Sequence, residues 1–192
     1  MPVLARVLIC MVMAFSSAAA WADVEMKIAT AKGFVAFTAE ESWRVLSMQT
    51  HMPIAAGAFQ IPSSADAGTQ DSTNLIVVFY ELDSEMARAK FEAPVKQYGS
   101  AAPTSDFFED WTIYRQEAKQ GNTLYSIWDA KRKRGVADAS VSVRLAWPHL
   151  DASSKTYAVE MDALLRAFLN SIHGGLGPYV PKDGEVIRRP AQ

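Results

Sequence analysis

The chain has 192 residues, with 19 Lys and Arg against 21 Asp and Glu and a formal net charge of −2. That balance excludes the strongly basic surface of a nucleic-acid binder, and the single cysteine, Cys10, excludes a disulfide-stapled scaffold. No apolar run reaches the ~20 residues of a bilayer span, so no transmembrane anchor is expected.

The N-terminus carries the most specific signal. Arg6 precedes the apolar core "VLICMVMAF" from Val7 to Phe15, and "SSAAAWA" follows, ending in Ala20-Trp21-Ala22. Charge, apolar core and an A-x-A site in that order read as a secretory signal peptide over residues 1–22, with cleavage after Ala22. Cys10 lies inside the apolar core with no small residue before it, so a lipid anchor is not expected. Removal of the leader takes Arg6 and Cys10 with it, leaving 18 basic against 21 acidic residues, a net charge of −3, and no thiol chemistry. The remaining domain can bury roughly 70% of the surface its unfolded chain exposes and needs no staples. No N-x-S/T sequon is present, because Asn74, Asn122 and Asn170 are followed at the third position by Ile76, Leu124 and Ile172. An exported bacterial protein of the periplasm fits these features.

In the mature chain, Phe34 to Phe37 reads as a strand. Thr38 with Glu41 three positions on has the capping-box spacing that opens a helical turn. "MPIAAGAFQIP" reads as a strand closed by Pro62, and Ser63 to Thr73 as a polar loop. Leu75 to Tyr80 is apolar on both faces, as in a strand covered on both sides. Asp83-Ser84 caps a helix bearing Ala87, Phe91 and Val95, with a break expected at Pro94 and its end at Gly99. "APTSDFFED" reads as a connecting loop.

Trp111 to Lys119 and Thr123 to Ala130 flank "QGN" and read as a hairpin. In Ser140 to Trp147, Val141, Val143, Leu145 and Trp147 alternate with Ser140, Ser142, Arg144 and Ala146, the pattern of a strand with one buried face. From Tyr157 to Ile172, apolar residues recur at helical spacing, with Gly174-Gly175 expected to stop the helix in a left-handed turn. The expected fold is α+β: one domain over residues 23–173, a sandwich of a mainly antiparallel sheet with a long amphipathic C-terminal helix packed on it, followed by a tail over residues 174–192.

The order of elements resembles the PsbP-like fold shared by photosystem extrinsic subunits and the Ran-binding Mog proteins. Trp43, the "AFQIP" strand leading to "NLIVVFY", and "SVRLAWP" feeding the last helix carry the likeness, which spans most of Gly33 to Ile172. The resemblance implies an accessory binding role rather than catalysis.

No catalytic signature stands out. His51, His149 and His173 form no metal-ligand spacing, and no G-x-S-x-G elbow or S-x-x-K is present. "GGLG" lacks the strand-before, helix-after setting of a phosphate loop. No cofactor is expected. A hydrolase would need titratable side chains from distant segments brought into one pocket. The four tryptophans Trp43, Trp111, Trp128 and Trp147 are expected in the core.

The one unusual feature is "DAKRKRGVAD". Lys131, Arg132, Lys133 and Arg134 read either as a solvated hairpin turn or as a contact for an acidic surface, with Trp128 and Arg144 near its base. The second reading makes the protein a non-catalytic periplasmic accessory subunit or immunity-type inhibitor, whose partner is a periplasmic or envelope protein with an acidic surface. The alternative is a small-ligand-binding protein with a pocket between sheet and helix.

Overall fold

The computed structural model describes residues 23–61, 73–132, 135–149 and 154–177. The expected signal peptide, most of the expected polar loop after Pro62, Lys133, Arg134 and most of the expected tail lie outside the described residues. Ten strands and two helices follow in the order β1 Asp23–Ala29, β2 Gly33–Glu40, β3 Arg44–Gln49, β4 Ile54–Ile61, β5 Thr73–Glu81, α1 Glu85–Glu92, β6 Thr104–Phe108, β7 Trp111–Gln120, β8 Thr123–Arg132, β9 Ala139–His149, α2 Ser154–Ser171 and β10 His173–Leu176. The protein is mainly β. A three-stranded sheet, β1-β2-β10, faces a seven-stranded sheet, β3-β4-β5-β9-β8-β7-β6, and every pairing is antiparallel.

Alternation decides which side of the large sheet is dry. Leu75, Val77 and Phe79 of β5 and Val141, Val143, Leu145 and Trp147 of β9 are fully buried on its inner face. Their neighbours Ile76, Val78 and Tyr80 are half-buried on the outer face, where α1 covers part of β5 and Phe91 lies 5.6 Å from the Tyr80 ring. From the small sheet, Val35, Phe37 and Ala39 of β2 meet that inner face. Phe37 lies 5.8 Å from the rings of both Phe59 and Phe79 and 5.6 Å from Phe168 of α2. Met161, Leu165, Phe168 and Leu169 form the buried stripe of α2. The expected helix-on-sheet sandwich is thus a sheet-on-sheet sandwich, in which α2 lies beside the small sheet over the same core.

Four local expectations give way to tertiary pairing. The capping-box spacing at Thr38 opens no helix, because Thr38 to Glu40 finish β2 against β1. "TSDFF" pairs with β7 as the edge strand β6. Gly174 and Gly175 do not close the helix in a left-handed turn, and His173 does not end it: all three lie in β10, paired with β2. A Cβ on Gly33 would sit 1.9 Å from the carbonyl oxygen of Gly175, so β10 approaches β2 only because that position is glycine. The break before Pro94 does occur: α1 runs from an Ser84 cap, whose hydroxyl accepts from the Ala87 amide, to Glu92.

Phe37→Ala is expected to cost ~3–5 kcal/mol in urea unfolding, because a buried ring is lost between two rigid sheets and a helix. Val45→Ser, on the exposed edge strand β3, is expected to stay within about 0.5 kcal/mol.

Candidate functional site

The basic run is not a turn at its first half. Lys131 and Arg132 are the last residues of β8, and Lys133 and Arg134 lie outside the described residues. The Lys131 ammonium donates to the carbonyls of Phe91 (2.8 Å) and Ala93 (2.7 Å) and lies 5.5 Å from the Phe91 ring centroid. Burial lowers its pKa below that of an ordinary lysine, with the charge of Asp129 opposing. The Arg132 guanidinium donates to Asp110 at 2.8 Å and to the Ile172 carbonyl at 3.3 Å, and lies over Trp111. Both cations therefore bind the protein itself.

Trp128 and Arg144 do not flank a common base. Trp128 pairs with Leu145 on the inner face, whereas Arg144 pairs with Asp129 on the outer face. Arg144 Nε donates to the buried Asp129 carboxylate at 2.7 Å, and a second nitrogen donates to the Tyr98 hydroxyl at 2.5 Å. Burial works against the charge of Arg144, and the hydrogen bond and charge of Asp129 more than offset it, so its pKa is raised. The outer face thus carries an internally matched ion pair. Of the six residues expected to form one contact, the four described ones, Trp128, Lys131, Arg132 and Arg144, lie on both faces of the sheet. All four mature-chain tryptophans are buried, as their strand positions suggested.

The structure instead makes a site where the sequence showed none. A cleft of about 870 Å³ opens on the inner face at the turn end of β7 and β8, beneath the first turns of α2. Two smaller hollows, of about 390 and 330 Å³, lie beside Lys131 and beside Trp43. The sheet side of the large cleft carries the polar Arg115, Glu117, Lys119, Ser126 and His149 with Leu124 and Trp128 set among them, and the segment after α1 and α2 add the apolar Ala101, Ala102 and Ala158. The register explains the convergence. Glu117 stands opposite Ser126, and Leu124 stands between Lys119 and His149 in the next row. Ser126 Oγ and His149 Nε2 are 2.6 Å apart.

The segment after α1 forms the outer wall. Gln116 holds it at both ends of its amide, accepting from the Tyr98 backbone N–H and donating to the Lys96 carbonyl, each at 2.9 Å. A Cβ on Gly99 would come 2.6 Å from the Glu117 carbonyl oxygen, so glycine is required where the segment crosses the edge of β7. The floor is fixed from α2. Arg115 donates to Asp106 at 3.0 Å and to Asp162 at 2.6 Å, Asp162 also accepts from Arg166 at 2.6 Å, and the Arg115 guanidinium lies 4.6 Å from the Trp128 ring centroid. The Arg115 hydrogen bond holds the Asp106 carboxyl below its ordinary pKa. Two arginines and two aspartates make this network neutral.

The pair Ser126–His149 has the types of a nucleophile and its base. However, β8 is paired on both sides at Ser126, so the backbone amides around it are engaged in the two ladders rather than aimed at a developing oxyanion. The arrangement can hold a ligand; it is not built to stabilise an acyl-transfer intermediate. Of the other histidines, His51 is exposed, and His173 in β10 contacts Glu25 at 3.2 Å. Among the described residues no group of three or more His, Cys, Asp or Glu is placed to hold a metal ion. No helix of the described residues is long and apolar enough to cross a membrane. A sequence signal for the cleft did exist in the strict alternation of β9, which puts His149 on the face of Trp147, but its pairing with Ser126 needed the register.

No family model and no curated protein sequence matches the chain. Among solved structures it is similar to that of LpqN, involved in cell envelope biogenesis of Mycobacterium tuberculosis, with 13% identity, 79% of this chain and 91% of that chain covered, and a TM-score of 0.41.

Replacing Lys131 or Arg132 by Gln is expected to lower stability by ~1 kcal/mol in urea unfolding, the cost of leaving partly buried carbonyls or a carboxylate without a charged donor. Arg144→Ala should cost more, about 3 kcal/mol, because it strands Asp129 in the interior; the low end of the usual range applies, since a third of Arg144 meets water.

Proposed function

We propose that the protein is an exported binding protein of the bacterial periplasm that holds a small amphipathic ligand in the cleft between the large sheet and α2. One observation carries the reading: residues from four strands, α2 and the segment after α1 converge on a hollow of about 870 Å³ whose lining combines apolar and polar groups. Specific small-molecule sites have that composition, an apolar lining with few convergent polar groups. The leader-like N-terminus supports the address, and the PsbP-like order of elements, which implies an accessory role, supports binding without catalysis.

The test is the thermal unfolding of the purified protein with the low-molecular-weight fraction of the native periplasm. A ligand at roughly 100 times its dissociation constant stabilises by about 2.7 kcal/mol, a rise in Tm of roughly 5–10 °C for a chain of this size. Ala102→Trp, an exposed position in the segment after α1, should abolish the rise without lowering the Tm of the ligand-free protein. A fraction that leaves Tm unchanged, while the protein is shown folded, removes the reading.

A second reading, an accessory role through protein contacts, is favoured by β3. This edge strand exposes Val45, Leu46 and Met48 at 47%, 51% and 39%. Affinity capture from the periplasm should then recover a protein that Leu46→Lys fails to hold. Equal capture by both would sink it.

A further inference from the structure

We infer that the ligand of the cleft is a small zwitterion with an apolar side chain, an amino acid or a short peptide; this rests on the cleft being the ligand site. The sheet side of the cleft has opposite charges placed apart. Glu117 and Lys119 occupy the same face of β7 two residues from each other, so their Cα atoms are about 7 Å apart. Both line the cleft, and neither side chain is paired with another described residue. The charged groups nearest to them do not alter this balance, because Arg115 is matched by Asp106 and Asp162 in the neutral network with Arg166.

A purely anionic ligand near Ser126 meets the Glu117 carboxylate directly across the strand pair, where like charges are unfavourable. A purely cationic ligand meets Lys119 in the same way. A ligand bearing an ammonium and a carboxylate separated by a few ångströms satisfies both: its ammonium donates to Glu117, and its carboxylate accepts from Lys119.

The Ser126–His149 pair lies on the carboxylate side, since His149 shares the row of Lys119 across Leu124. With its proton on Nε2, His149 donates to Ser126 Oγ, and the serine O–H is released to donate to the ligand. With the other tautomer the serine donates to the ring and its lone pairs face the cleft. The pair therefore matches either a carboxylate or an amide N–H without moving a heavy atom. The apolar residues of the lining, Ala101, Ala102, Leu124 and Trp128, receive the side chain.

Titration calorimetry on the purified protein tests this with four probes: L-phenylalanine, the dipeptide glycyl-L-phenylalanine, 3-phenylpropanoate and 2-phenylethylamine. At least one zwitterion should bind about 10-fold or more tightly than either singly charged probe. Glu117→Gln should remove that advantage over phenylpropanoate, and Lys119→Gln should remove it over phenylethylamine. Both positions are exposed, and an unchanged Tm verifies that each variant is folded. Preference for the dipeptide identifies a peptide ligand, and preference for phenylalanine an amino acid. If a singly charged probe binds as tightly as both zwitterions, the zwitterion inference fails while the ligand reading stands. If none of the four binds, the inference fails too, and the periplasmic-fraction measurement decides the ligand reading by itself.

Discussion

The stacking of Phe37 between the two sheets is the contact on which the remaining architecture depends. β2 is the central strand of the small sheet, paired on one side with β1 and on the other with β10. Its inward residues are the small sheet's main grip on the large one, and the Phe37 ring is shared by β4, β5 and α2 through Phe59, Phe79 and Phe168. Trp43 extends the cluster, 6.0 Å from Phe59 and 5.8 Å from Phe168. The C-terminal half of α2 is thereby fixed against β2, where the Ser171 hydroxyl also accepts from the Thr38 amide at 3.0 Å. A rigid helix anchored at that end places Ala158 and Asp162, nearer its start, over β7 and β8. The small sheet does not reach so far. The cleft is the part of the inner face that α2 and the small sheet leave between them and the β7–β8 turn.

How much of this could be read from the sequence depended on whether period or partner decided the outcome. β5, β7, β8 and β9 were legible because each carries its own alternation or a turn between apolar runs, and α1 because Ser84 and Pro94 punctuate it. β1, β3, β6 and β10 were not. β3 is exposed along its whole length and shows no alternation of burial. β10 contains two consecutive glycines, which read locally as a helix stop and serve instead to bring one backbone against another. At Thr38 a capping-box spacing met a strand already paired with β1, and tertiary pairing outweighed a local preference of about one kilocalorie. The long amphipathic helix was expected to be the second layer of the sandwich; that layer is the small sheet, whose third strand, β10, is separated in sequence from β1 and β2 by the entire large sheet.

The site illustrates the same division more sharply. Lys131 to Arg134 drew attention because four adjacent cations are conspicuous in a slightly acidic chain. Composition cannot tell a solvated cation from one facing a carbonyl. Ser126 drew none and His149 was weighed only for metal-ligand spacing, because the two are ordinary residues 23 positions apart. Only the β8–β9 register makes them neighbours, and only the β7–β8 register adds Glu117 and Lys119 to the same wall.

The conspicuous residues and the inconspicuous site are nevertheless connected by one stretch of chain. Lys131 holds the last carbonyls of α1, at Phe91 and Ala93, immediately before Pro94 ends any continuation of the helix. From there the backbone runs along the outer face to Tyr98, whose hydroxyl is held by Arg144 and whose amide is held by Gln116, and then crosses the edge of β7 at Gly99 to become the cleft wall. Lys131 and Arg144 lie on the face opposite the cleft, and Gln116 lies at its border. Their hydrogen bonds fix the exit and the course of a segment with little secondary structure of its own, and so set the position of Ala101 and Ala102. Lys131 at the end of β8 is thus a positioning group for the cleft wall: a half-buried cation secures the segment on one face of the sheet, and the cleft opens on the other.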